Sequence, residues 1–149
     1  MAAMHVDGLD LDVGVALRMI LTLVNPTDEF VGYYLYFNGD YVNDHYWCQF
    51  LRADDEAVTS GRRNDPGLIG LDPGESALVT ATLARCPDGL VRATVSGNRG
   101  DPAEVIFIDN KIVWTVPENV TRIAVKADAP VGMGPGSTLV VHDTGAIRD

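Results

Sequence analysis

Cations, cysteines and long apolar runs are all scarce in this chain, and each scarcity removes a class of function. Lysine occurs only at Lys111 and Lys126, and acidic residues outnumber basic ones 21 to 11, giving a net charge of −10. A sequence-independent nucleic-acid surface needs clustered Lys and Arg to displace counterions, so no nucleic-acid partner is expected. No apolar run approaches the roughly 20 residues that a membrane helix needs. The opening MAAMHVDGLDLDVG lacks the basic n-region and apolar h-region of a secretory signal, so a soluble chain with no membrane partner is expected.

The two cysteines, Cys48 and Cys86, form no CxxC pair. A bridge between them requires α-carbons within about 7 Å, and a buried free thiol is the simpler reading. The three histidines, His5, His45 and His142, show neither HxH nor HExxH spacing, and no GxSxG elbow is present. GMGPGS lacks the lysine that would complete a phosphate cradle. No catalytic residue, metal or cofactor is therefore expected.

What is abundant is short β-branched and aromatic runs punctuated by turn pairs. Hydrophobic residues make up 46% of the chain against 21% charged, enough for a packed core. The run VALRMILTLV, Val15 to Val24, stops at Asn25-Pro26 and reads as a buried strand. Val31 to Phe50 reads as a long hairpin about Asn38-Gly39, a pair suited to the positive φ values of a type I′ turn. The polar stretch Arg52 to Gly67 reads as a loop, or one helical turn capped by Asp54. Asp72-Pro73-Gly74 supplies a type II turn before the strand Ala77 to Ala84, and Pro87 to Gly89 launches Leu90 to Ser96. Residues Gly97 to Pro102 read as a loop containing Arg99-Gly100-Asp101, taken as a turn ended by Pro102. The segment Glu104 to Ala127 reads as a three-stranded meander turning at Asp109-Asn110 and Val116-Pro117. A glycine-rich loop, Gly132 to Gly136, precedes a last strand from Ser137 to His142. The expected fold is all-β, an antiparallel β-sandwich or jelly-roll-like domain of about nine or ten short strands with little helix. Residues 1–14 are expected as a solvated acidic arm and residues 15–149 as a single β-sandwich domain.

Two regions could carry recognition. Neighbours on a strand face opposite sides, so Tyr33, Tyr34, Tyr36, Tyr41, Tyr46 and Trp47 cannot all point inward. With the polar cluster Asp40, Asn43, Asp44 and His45 beside them, they suit a protein interface, a carbohydrate platform or simply a core hairpin with a polar tip. The arm adds Met4, Val6, Leu9 and Leu11 as contacts to neighbouring subunits. Asp7, Asp10 and Asp12 have calcium-compatible spacing but lack the closing glutamate of an EF-hand loop.

The residues Val113 to Ala127, VWTVPENVTRIAVKA, carry a resemblance. Their pattern, apolar-Thr-Val-Pro-x-x-Val-Thr-x-Ile-x-Val, is similar to a strand-turn-strand phrase of β-sandwich modules in tailed-phage tail fibres and related virion proteins. The resemblance implies a non-enzymatic structural protein of a virus particle, a capsid decoration or tail component. Its partners would be further copies of itself and neighbouring virion proteins. The alternative is a carbohydrate-binding module using the aromatic hairpin at residues 31–50, with a glycan as ligand.

Overall fold

The computed structural model describes residues 2–12, 15–101 and 103–146, with side chains excepted at 101 and 144–146. Eleven strands form two antiparallel sheets: β1 (Ala3–Leu11), β2 (Val15–Val24), β3 (Val31–Phe37), β4 (Tyr46–Ala53), β5 (Val58–Arg63), β6 (Gly67–Leu71), β7 (Ser76–Arg85), β8 (Val91–Asp101), β9 (Glu104–Trp114), β10 (Val120–Ala127) and β11 (Thr138–Ala146). One sheet has four strands in the order β1-β10-β3-β6, and the other has seven in the order β11-β2-β7-β8-β9-β4-β5. Their inner faces bury one core, from Leu17, Met19, Leu21 and Leu23 of β2 to Tyr33, Leu35 and Phe37 of β3 and Trp114 of β9. The all-β sandwich is thus as expected, and the only helical element among the described residues is a 3-10 turn at Asn43–His45. No helix among them is long and apolar enough to cross a membrane.

The expected arm is instead a strand. Residues Ala3 to Asp7 pair with Arg122 to Lys126 of β10, and Met4 and Leu9 pack against the core while Leu11 is fully buried. Alternation puts Met4 and Val6 on one face, and Leu9 and Leu11 would then fall on the other. Gly8, at φ 71, lies where β1 takes four residues, Asp7 to Leu11, against two of β10, Arg122 to Val120, and beyond this bulge both leucines return to the buried side. The boundary expected at residue 14 therefore divides nothing, and residues 13 and 14 themselves lie outside the described residues.

The expected turns fare differently. Asn38 (φ 53) and Gly39 (φ 70) do adopt the positive φ values of a type I′ turn, and the Asp40 N–H donates to the Phe37 carbonyl. Yet β3 and β4 belong to different sheets, so the turn is a corner between layers and not a hairpin. Asn38 secures that corner by receiving the N–H groups of Thr121 and Arg122 at Oδ1 and donating Nδ2–H to the Asn119 carbonyl. Asp109-Asn110 is no turn: it lies mid-way along β9, paired with β4 and β8. Buried Asn110 spans the sandwich instead, donating both Nδ2 hydrogens to the carbonyls of Gly67 and Leu68 on β6. The expected meander is therefore two strands in opposite sheets, divided at Pro117, which lacks the N–H a ladder needs.

Residues 52–67, expected as a loop, contain the edge strand β5. Asp54 caps no helix but turns the β4–β5 connection by accepting the N–H groups of Glu56 and Ala57. Arg99 and Gly100 sit within β8, where Arg99 is almost fully buried and ion-paired to Glu75 and Asp72. Arg99 is thus a buried strand residue and not part of an exposed loop, and Pro102 lies outside the described residues. Gly74 at φ 76 fits the expected type II turn.

Candidate functional site

Strand alternation and the sheet corner split the aromatic set into three groups. Tyr33 and Tyr46 are core side chains, and Tyr46 clusters with Phe37 and Trp114, their ring centroids 6.2 and 6.4 Å from its own. On the other face of β3, Tyr34 and Tyr36 stack at 6.5 Å, and Tyr41 meets Tyr36 edge-on at 5.0 Å. The Lys126 ammonium sits 4.3 Å from the centre of the Tyr41 ring. Tyr36 is nonetheless nearly buried, and its hydroxyl donates to Asn43 Oδ1. Only Tyr41 and Trp47 are extensively exposed. As surface contacts Tyr33, Tyr36 and Tyr46 are therefore lost: Tyr33 and Tyr46 lie in the core between the sheets, and Tyr36 is covered on the outer face of β3 by Tyr34, Tyr41 and Asn43.

Asp40, one of the polar cluster that the sequence sets beside the aromatics, organises this corner. Its Oδ2 receives the Trp114 indole N–H at 2.8 Å and His45 Nδ1–H at 2.7 Å, and Oδ1 receives the Val42 N–H at 3.2 Å. Burial pushes the carboxyl up, but the Trp114, His45 and Val42 hydrogen bonds outweigh it and hold Asp40 below the ordinary carboxylate value. The Tyr46 hydroxyl donates to the Asp40 carbonyl and accepts the Phe37 N–H. Burial drives the Tyr46 pKa far upward, and it raises Tyr33 to about 12 with help from Asp128. Among the described residues no hydroxyl or thiol is hydrogen-bonded to the His45 ring, so Asp40 and His45 brace a corner with no nucleophile attached to them. Asp44 lies exposed in the 3-10 turn beside them.

Met4, Leu9 and Leu11 face the protein's own core and Val6 is half-buried, so the expected arm contacts are internal ones. Among the described residues no group of three or more potential ligands is placed to hold a metal, the aspartates of β1 included. Cys48 and Cys86 are free, and burial raises the Cys48 thiol pKa.

A further exposed surface lies on the outer face of the seven-stranded sheet. Trp47, Gln49 and Leu51 alternate outward along β4, against Val113, Lys111 and Asp109 of β9 and Arg62 and Ser60 of β5. Trp47, Gln49, Arg62, Lys111 and Val113 line a groove of about 410 Å³. Further along the same strands Leu51, Val58, Val105 and Phe107 are exposed, Val58 to 66% and Phe107 to 59%. No family model, curated protein or solved structure matches the chain. Its function must therefore be argued from this geometry. Sequence reading found Trp47 here but missed its companions, because Arg62 and Val58 sit in a stretch too polar to look like a strand.

Proposed function

We propose that this protein is a non-enzymatic structural protein of a virus particle, a capsid decoration or tail component that acts through contacts between copies of itself and with neighbouring subunits. The observation that carries the reading is the outer face of β9, β4 and β5, where Trp47, Leu51, Val58, Val105 and Phe107 stand exposed at the open edge of the larger sheet. Apolar side chains grouped this way on a sheet face mark a contact surface, since water penalises their exposure. The same face carries Arg62 and a Lys111–Asp109 ion pair, whereas the β1 edge presents Asp7 and Asp10. In a chain of net charge −10, the Arg62 guanidinium on this face fits a carboxylate of a second copy, a head-to-tail contact of the kind that closes rings or extends filaments. The virion placement rests on the resemblance at residues 113–127.

Sedimentation velocity of the wild type and of Leu51→Glu/Phe107→Glu tests the contact. Concentration-dependent assembly is expected for the wild type and monomers for the variant, with unchanged circular dichroism. A wild type that stays monomeric at high concentration sinks the assembly reading. Quantitative mass spectrometry of purified particles tests the placement through copy number.

A second reading, a glycan-binding module, is favoured by the groove at Trp47. An indole ring flanked by an amide, a guanidinium and an ammonium can stack on a sugar and bind its hydroxyls. It moves the binding surface from the hairpin tip to the outer face of β4, and it requires that Trp47→Ala abolish glycan binding.

A further inference from the structure

The seven-stranded sheet is wider than the four-stranded sheet that covers it, and β6 is the edge of the smaller one. Beyond β6 the inner faces of β4 and β5 extend into a cleft of about 400 Å³. The pairing of Cys48 with Arg63, Phe50 with Gly61 and Arg52 with Thr59 places these residues together on the inner side of β4 and β5. The cleft is mainly apolar, with Phe50, Ile108, Leu68 and Ile69 along it, and two of its arginines are already spent. Arg99 is ion-paired with Glu75 and Asp72, and Arg63 with Asp65. Arg52 differs: it forms no ion pair among the described residues. Asp54, two residues on, feels its charge but gives Oδ1 to the N–H groups of Glu56 and Ala57.

The wall of the cleft on the smaller sheet is the backbone edge of β6. In an antiparallel pair, residues alternate between exchanging hydrogen bonds with each other and turning their N–H and C=O groups away. Gly32 of β3 turns both groups towards β10, its N–H donating to Asp128 Oδ1 and its C=O accepting the Asp128 N–H. Its partner in the ladder, Gly70, therefore turns its own N–H and C=O to the free edge. The other end of that edge is closed from within, because the Gly67 N–H donates to Asp65 and the carbonyls of Gly67 and Leu68 accept the Asn110 amide. Gly70 is left open beside the Phe30 ring, which lies where a Gly70 Cβ would stand and is itself 59% exposed.

An open strand edge flanked by apolar side chains is completed by an extended segment. This chain has none to spare. Its described strands are all placed in the two sheets, and the residues outside the described set come in runs of three at most. The longest connection, 128–137, is tied down by the Tyr33 hydroxyl, which donates to the Gly132 carbonyl, and by the Gly134 N–H, which donates to the Val24 carbonyl. A second copy does not fit either: an edge strand from it brings its own second sheet to the side where β4 and β5 already stand. Its β5, whose inner side is open, would stack Arg52 and Arg63 on the same two cations. The segment therefore belongs to a different chain, and strand alternation dictates its side chains. The residue that exchanges bonds with Gly70 points outward beside Phe30, and its two neighbours point into the cleft. One of these covers Phe50 and Ile108 and is apolar, and the other meets Arg52 and is a carboxylate.

We propose that this cleft takes an extended segment of a different polypeptide, anchored by two backbone hydrogen bonds to Gly70 and carrying an apolar side chain on one side of that anchor and a carboxylate on the other. This site is separate from the outer face that carries the assembly reading, because β4 directs Trp47 and Leu51 to one side and Phe50 and Arg52 to the other.

Titration of the isotope-labelled protein with two blocked pentapeptides, Thr-Val-Thr-Glu-Thr and Thr-Glu-Thr-Val-Thr, followed by amide NMR, tests the inference. The pair presents both orders of the two inward residues. One of them is expected to bind at millimolar concentration or below, shifting the Gly70 amide resonance and slowing its hydrogen exchange. Replacing the peptide's Glu by Gln should weaken binding at least tenfold, and so should Arg52→Gln in the protein. The peptide substitution keeps the test valid should the protein variant fold poorly. Leu51→Glu/Phe107→Glu, on the opposite face, should bind the peptide as the wild type does, so that failure of this inference and failure of the assembly reading show separately. The inference is overturned if neither peptide binds at millimolar concentration, if the Gly70 amide does not respond, or if the Gln peptide binds as tightly as its Glu counterpart. It is overturned too if the Gly70 amide of the protein alone becomes protected as concentration rises, which would put a second copy in the cleft.

Discussion

At the scale of single residues, the tyrosines report most directly on how the corner between the sheets is held. Four of them, Tyr33, Tyr34, Tyr36 and Tyr46, have pKa values raised primarily by burial. The folded chain therefore keeps protons that the unfolded chain releases near the ordinary value of 10.0. Stability from this source is fully present below pH of about 10 and is lost as pH rises through the folded values, about 12 for Tyr33. Tyrosinate absorbance from these four is expected to appear together with loss of far-ultraviolet dichroism in an alkaline titration. Ionisation of all four near pH 10 in an intact fold would contradict their burial. Sequence reading correctly required some aromatics to face outward, but it could not sort them. Alternation gives two faces, and only the second layer decides which of them is wet.

At the scale of elements, local conformation was legible and partnership was not. Asn38-Gly39 adopts the backbone its residue types favour, yet the strands it joins pair elsewhere because burial of Phe37 and Tyr46 between the layers outweighs a hairpin ladder. Asp109-Asn110 has turn-forming residue types too, but the Asn110 amide finds two carbonyls across the core and so needs no turn. The strands β2, β7 and β11 follow their apolar patterns. The cleft did not show itself, because Arg52 and Arg63 resemble loop residues until Cys48 and Phe50 are seen to share their face. For β1 the consequence is testable: deleting residues 1–11 removes fully buried Leu11 and the apolar contacts of Met4 and Leu9. That deletion should cost more than about 3 kcal/mol, read by urea denaturation, given about 1.5–3 kcal/mol for each fully buried large apolar side chain. A solvated arm would give no change.

At the scale of the whole molecule, both sheets contribute to one core, so the sandwich should melt as one unit. Near-ultraviolet dichroism, sensitive to buried Trp114, and far-ultraviolet dichroism are expected to give coincident transitions. Two separated transitions would mean that the sheets are independently stable. The pairing of the first strand with β10 also bears on how the chain is made. During synthesis β1 emerges well before its partner, Val120–Ala127, with eight other strands made in between. The smaller sheet is thus closed on that side by two strands far apart in the chain, so its β1–β10 ladder can form only after all eight strands between them have been made.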